Sequence, residues 1–181
     1  MEDKIIVSIQ CLVYNHEPYL RQCLDGFVMQ KTNFKFEAIV HDDCSTDNSA
    51  AIIREYAEKY PDIIKPIFET ENQYSKHDGS IEKIMDTACN GRYIAFCEGD
   101  DYWIDPKKIQ KQYDALVSYP LATMCYTGFY CVDDKGNEYI RPYYEKLMKK
   151  SSSGDNFVKL IKGPNYPMTL TCMVRNDVLN S

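Results

Sequence analysis

The sequence is short of basic surface. Its formal charge is −6, from 21 lysines and arginines against 27 acidic side chains, and no Lys/Arg cluster is longer than Lys149-Lys150. Nonspecific phosphate binding needs a basic face, so nucleic acid is excluded as a main partner. A phosphate-bearing ligand would need a divalent cation as a bridge. The eight cysteines contain no C-x-x-C pair, and most lie inside or beside apolar runs. That argues against a zinc or redox motif and for reduced core thiols in a cytosolic protein. No apolar stretch approaches the roughly 20 residues needed to span a bilayer, and the N-terminus lacks a basic region, a long apolar segment and a small-residue cleavage site. The expected location is cytoplasmic, with peripheral attachment to the inner face of a membrane left open. There is no G-x-x-x-x-G-K-S/T or G-x-G-x-x-G phosphate loop, which removes the usual anchor for kinase, ATPase and dinucleotide chemistry. There is no G-x-S-x-G elbow either, which weakens a serine hydrolase. His16, His41 and His77 have no metal-like mutual spacing.

What remains is an ordinary globular composition. With 181 residues, 44% hydrophobic and 27% charged, the chain suits one domain with a proper core and is too short for two. The run KIIVSIQCLV (4–13) reads as a strand covered on both faces. Tyr14 to Pro18 punctuates it, and apolar residues at 20, 24, 27 and 28 then carry a helical period over 19–30. FEAIV (36–40) is a second buried strand, followed by a helix over 48–59. IIKPIF (63–68) is a third, placed at an edge by Pro66. A polar loop (70–78), a helix (79–89) and the strand RYIAFC (92–97) follow. A helix then starts at Asp105-Pro106 and runs to about Ser118. Leu121–Val132 and Asn137–Arg141 flank Asp133-Asp134-Lys135-Gly136, a hairpin signal. Ser151 to Gly154 reads as a loop, 155–162 as a short helix and 168–174 as a final strand. Strands alternating with helices predict an open, mostly parallel sheet with helices on both faces, whose ligands bind outside the carboxyl ends of the strands.

Three polar clusters fall at such ends: Tyr14-Asn15-His16-Glu17, Asp42-Asp43-Cys44-Ser45 and Glu98-Gly99-Asp100-Asp101. Glu98 and Asp100 flank a glycine that lets the backbone bend sharply, so both can face one point as hard oxygen ligands for Mg²⁺ or Mn²⁺. The competing reading is a solvated loop or a helix cap, although Asp105 is better placed to cap the next helix. Asp42-Asp43 can accept hydrogen bonds from a ribose diol or a pyrimidine N–H, with Asp43 favoured; a helix cap is the alternative. Tyr14 is either a core ring or one that stacks on a base.

The segments VSIQCLVYNHEPYLRQCLDGFVMQ, FEAIVHDDCSTDNS and GRYIAFCEGDDYW, in this order and spacing, resemble the N-terminal half of family 2 glycosyltransferases over about residues 4–118. The resemblance implies the GT-A fold, a Rossmann-like α/β/α sandwich with a central, mostly parallel sheet. It implies that Val13, Tyr14, Asn15, Glu17, Asp42, Asp43 and Ser45 line the nucleotide pocket. It further implies that Glu98-Gly99-Asp100, in the place of D-x-D, holds Mn²⁺ or Mg²⁺ on the donor diphosphate. The implied reaction moves a sugar from a nucleotide-sugar, a UDP-sugar most often, to a hydroxyl of a glycan or lipid-linked glycan with inversion, as in cell-surface polysaccharide synthesis. Two features depart from the family pattern. Glutamate leads D-x-D, which makes Asp100 the safer ligand and leaves Asp101 unassigned. The carboxylate that acts as general base follows the strand represented here by MTLTCMV, and no acidic motif of that kind precedes Ser181. Residues 1–181 are therefore expected to be one donor-binding domain cut short at its C-terminus, with the catalytic base unassigned. The alternative is a non-catalytic nucleotide-sugar-binding fragment. A nucleotidyltransferase would carry a Gly/Arg-rich loop after the first strand, and a D-x-D phosphatase would carry its motif there; this sequence does neither.

Overall fold

The computed structural model describes residues 4–133, 135–150 and 167–179. The loop expected at 151–154 and the helix expected at 155–162 lie outside the described residues. Six strands form one sheet: β1 (Ile5–Val13), β2 (Lys35–Asp42), β3 (Ile64–Phe68), β4 (Tyr93–Phe96), β5 (Met124–Tyr126) and β8 (Cys172–Arg175). Their order across the sheet is β3-β2-β1-β4-β8-β5. Strands β1 to β4 pair in parallel, while β8 runs antiparallel between β4 and β5. Pro66 does lie in a strand at the sheet edge.

The continuous apolar runs follow from burial on both faces. Alternate residues Val7, Ile9, Cys11 and Val13 of β1, with Ala38, Val40 and Ala95, meet Leu20, Leu24 and Phe27 of α1 (Glu17–Val28) and Ile52, Ile53 and Tyr56 of α2 (Ser49–Lys59). The opposite face, with Ile39 and Ile94, packs on Met85 of α3 (Ser80–Ala88). The helix α4 (Lys108–Ser118) joins the first face through Ile109 and Leu116. All eight cysteines are free thiols, and five are buried.

Several expected boundaries shift, for local reasons. Helix α1 begins at Glu17 because Pro18, read as punctuation, occupies its first turn, where a missing N–H costs nothing. Helix α4 begins at Lys108, and Asp105 serves the turn before it, accepting from Lys107 N–H at 2.9 Å and pairing with Lys111. Leu121–Val132 is not one strand. Its first part, β5, joins β8 in the main sheet, while β6 (Cys131–Val132) pairs with β7 (Glu138–Tyr139) as the expected hairpin. A helix α5 (Pro142–Lys150) follows. The last strand starts late, after a 3-10 turn over Thr169–Thr171, and leads into α6 (Asn176–Leu179).

Far from the clusters, a buried polar knot fixes where β4 enters the sheet. Ser8 Oγ donates to Glu37 Oε1 at 2.7 Å and accepts from Gly91 N–H at 2.8 Å, while Asn90 N–H also reaches Glu37 Oε1 at 3.0 Å. A Cβ on Gly91 would lie 2.3 Å from Ser8 N and 2.8 Å from Val7 C, both backbone atoms that cannot yield. Gly91→Ala should therefore cost about 3 kcal/mol or more, at the upper end of overpacking effects. A urea denaturation midpoint equal to that of the parent protein would refute this.

Candidate functional site

The end of β1 lays out the site. Gly99 N–H donates to Leu12 O at 3.0 Å, and Asp43 N–H donates to Val13 O at 2.9 Å. These bonds tie the loops after β4 and after β2 to either flank of the same strand end, so the three polar clusters meet as expected.

The loops after β1 and β2 are laced together. Both turn through left-handed residues, Asn15 (φ 56°) and Cys44 (φ 64°). Asparagine tolerates that region, whereas for cysteine it costs about 1–2 kcal/mol. The lacing offsets the strain. Asn15 N–H donates to Ser45 Oγ at 2.9 Å, and Thr46 N–H returns to Asn15 Oδ1 at 2.8 Å. His16 N–H donates to Ser49 Oγ at 3.0 Å. The Glu17 carboxylate takes Asn48 N–H and Nδ2 at 3.1 and 2.7 Å, while Glu17 N–H donates to Asp47 Oδ2 at 3.0 Å. Nothing in the sequence pattern singles out Asp47 for this part. Burial would raise its carboxyl, but hydrogen bonds from Ser49 and Glu17 outweigh that and hold it below the usual range.

The two aspartates at the end of β2 differ. Asp43 is bonded at both oxygens: Oδ1 accepts Gln73 N–H at 2.6 Å and Oδ2 accepts Tyr74 N–H at 3.0 Å, ordering the turn Tyr74–Lys76. Asp42 is 3% exposed, takes a long 3.4 Å bond from Ser45 N–H on Oδ2, and has no partner for Oδ1 among the described residues. A buried carboxylate oxygen without a donor is costly. Tyr14 is 47% exposed beside these groups, so the core-packing reading of its ring fails. Lys76 of the neighbouring loop already donates to Glu71 and Gln73.

After β4, Asp101 N–H closes a turn onto Glu98 O at 3.0 Å, and Cys23 Sγ bonds the same carbonyl. Oxygens of Glu98, Asp100 and Asp101 lie within 4.8 Å of one another. Glu98 and Asp100 are exposed and Asp101 is half-buried. Burial, then the charges of Asp100 and Glu98, push the Asp101 carboxyl up to about 6. Asp101, left without a role by the sequence pattern, is thus part of the group. Three crowded carboxylates are a donor set that suits Mg²⁺ or Mn²⁺. The late carboxylate Asp177 is bound at both oxygens by Arg175 and held below its usual range by that partner.

Behind the acidic turn, Trp103 packs edge-on to Phe27 and donates Nε1–H to Leu170 O at 3.1 Å. Lys108 Nζ lies 4.2 Å above the Trp103 ring and donates to Gln112 Oε1 at 2.7 Å. The ring face favours the ammonium by about 1 kcal/mol, yet burial dominates and lowers Lys108 to about 8.

A family model described as "Glycosyl transferase family 2" matches residues 8–176. The uncharacterized protein Rv1520 of Mycobacterium tuberculosis is 43% identical over 120 residues, covering 66% of this chain and 34% of that protein. Glycosyltransferase GlyA of Streptococcus pneumoniae is 32% identical over 164 residues, covering 86% of this chain and 22% of that protein. Among solved structures, S. aureus TarS 1-349 in complex with UDP superposes with a TM-score of 0.67 at 19% identity, over 97% of this chain and 48% of that one. Mannosyltransferase PcManGT from Pyrobaculum calidifontis, in complex with GDP-Man and Mn²⁺, has a TM-score of 0.56 at 22% identity, over 67% and 34%. The two structural likenesses establish the GT-A fold. The chain spans less than half the length of each of these proteins.

The buried lysine generates a pH signature. A folded pKa near 8 against 10.5 unfolded means that the folded state releases its proton first. The burial penalty is therefore full below pH 8 and fades as pH rises toward 10.5. Relative to Lys108→Met, the parent protein should gain stability between pH 7.5 and 10 in thermal unfolding. A constant difference across that range would show that Lys108 is not held below its ordinary value.

Proposed function

This chain belongs to glycosyl transferase family 2, and from that premise we propose that it forms the donor half of a metal-assisted, inverting sugar transfer. The donor is a nucleotide-sugar, a UDP-sugar in our reading, and the acceptor a hydroxyl of a glycan or lipid-linked glycan. The observation that carries this reading is the convergence of Glu98, Asp100 and Asp101 at the end of β4, on the same end of β1 to which the loop after β2 is tied.

Asp100 and Glu98 would hold Mn²⁺ or Mg²⁺, with the half-buried Asp101 carboxylate beside them. When bound, the ion supplies positive charge that neutralises a departing diphosphate. The upward push on Asp101 comes first from burial and then from the charges of Asp100 and Glu98, and a cation would offset both. On the nucleoside side, the exposed Tyr14 ring, next in the chain after the buried Val13, offers a stacking face, and the Asp42-Asp43 pair at the end of β2 lines the pocket. Asn15, Glu17, Asp43 and Ser45 serve the same pocket by holding its loops in place. No helix among the described residues is long and apolar enough to cross a membrane, and we place the reaction in the cytoplasm, at the inner face of a membrane when the acceptor is lipid-linked.

A second reading is donor binding without transfer. The late carboxylate Asp177 is paired with Arg175 and is assigned no part in the transfer.

Titration calorimetry tests the proposal. UDP should bind in the presence of Mn²⁺ and lose most of its affinity in EDTA. Asp100→Ala should weaken Mn²⁺-dependent binding about tenfold or more, some 1.4 kcal/mol, with an unchanged circular dichroism spectrum. A well-folded parent protein that binds no UDP with Mn²⁺ present would sink the reading. Binding without turnover of any UDP-sugar would select the second reading over the first.

A further inference from the structure

Gly99, at the centre of the acidic turn, is buried against the loop that follows β1. A Cβ there would lie 2.7 Å from His16 Nδ1, 3.0 Å from Val13 Cγ2 and 3.4 Å from His16 Cβ. The His16 main chain cannot easily retreat. Its N–H is bonded to Ser49 Oγ, a buried side chain, and its carbonyl accepts both Tyr19 N–H and Leu20 N–H at 3.0 Å in the first turn of α1. Its Nδ1 is buried and has no hydrogen-bond partner among the described residues. At this nitrogen the ring is placed by contact with Gly99, not by a polar partner.

On the far side, Gly99 is equally fixed, with its N–H on Leu12 O and the flanking turn closed by Asp101 N–H on Glu98 O. The imidazole and the glycine are therefore two halves of one contact. The ring fills the space that a side chain at 99 would need, and the turn carrying the carboxylates rests on it.

We propose that His16 is a positioning residue of the metal site: its imidazole sets the conformation of the Glu98–Asp101 turn and requires glycine at 99. This rests on the metal role given above to Glu98 and Asp100. His16 touches the backbone of the turn and is not itself a ligand. It also joins the two halves of the pocket, because the same residue is bonded to the start of α2 through Ser49.

A double-mutant cycle tests this, with Mn²⁺ alone as the probe and its free-ion EPR signal as the readout. Gly99→Ala should weaken Mn²⁺ binding about tenfold or more, because the turn must shift away from the ring. His16→Ala should weaken it about threefold by removing the support, whereas His16→Asn, which keeps a heavy atom near the Nδ1 position, should restore it. The telling variant combines His16→Ala with Gly99→Ala. It should bind Mn²⁺ at least about threefold better than Gly99→Ala alone, the non-additivity expected of residues in contact. Should Gly99→Ala fail to fold, recovery of a folded, Mn²⁺-binding protein in the double variant supports the proposal equally. Binding by Gly99→Ala equal to the parent, or a double variant no better than Gly99→Ala, overturns it. If the parent itself takes up no Mn²⁺, the metal reading falls and this positioning role falls with it. Metal-free melting temperatures then still separate the two failures: restoration of the Gly99→Ala loss by His16→Ala keeps the steric contact, and additive losses remove it as well.

Discussion

Everything at the site depends on how β1 ends. That strand has β2 on one edge, β4 on the other and packed side chains on both faces. Its polar backbone can meet partners from elsewhere only at the end. Successive carbonyls of a strand point to opposite sides, so Leu12 O takes the loop after β4 and Val13 O takes the loop after β2. Neighbouring strands lie about 4.8 Å apart, which brings the two acidic loops to either side of Tyr14 within reach of one ligand. The same junction is where the strand order reverses, with β2 and β3 on one side and β4, β8 and β5 on the other. In open α/β sheets that is where a crevice forms.

The carboxylates near this junction fall into two groups. Glu17, Asp43 and Asp47 are bonded by N–H groups of neighbouring loops, several of them backbone amides, so each charge is compensated by the protein's own dipoles. They stiffen the frame. Glu98, Asp100 and Asp101 are different, because the effects on Asp101 all act in one direction, toward protonation. A folded protein that brings like charges together without compensation has left a cost that a cation can remove. Asp42 also has an oxygen without a partner among the described residues, although its isolation comes from burial and not from crowding.

How much of this is legible in the sequence follows the same division. The buried strands are legible because covering both faces demands continuous apolar runs, and the polar clusters stand out because they interrupt those runs. The division of labour within the clusters is not legible. Asp43 is favoured by its place at a strand end, while the bonds its oxygens accept come from Gln73 and Tyr74, some 30 residues onward. Asn15 and Glu17 likewise find their partners in the loop after β2. Local pattern carries no information about such bonds. The C-terminal part is hardest to read, since β5 has three residues and pairs with β8, which lies almost fifty residues further along.

Glutamate at 98, the departure from the family's usual aspartate, can be understood from the rigidity of its turn. The Glu98 carbonyl is held by Asp101 N–H and Cys23 Sγ, and the next amide is held by Leu12 O. Gly99 is wedged against His16 and Val13. With the backbone fixed on these sides, the distance from residue 98 to a shared point cannot be adjusted by moving the chain, so side-chain length has to set it. An exposed glutamate has one more rotatable bond than aspartate with which to reach that point, at the cost of more side-chain entropy on ordering. Its oxygen does lie within 4.8 Å of those of Asp100 and Asp101. The extra methylene is therefore compatible with a shared cation, while the shorter Asp100, with fewer rotamers to lose, would be ordered at less cost.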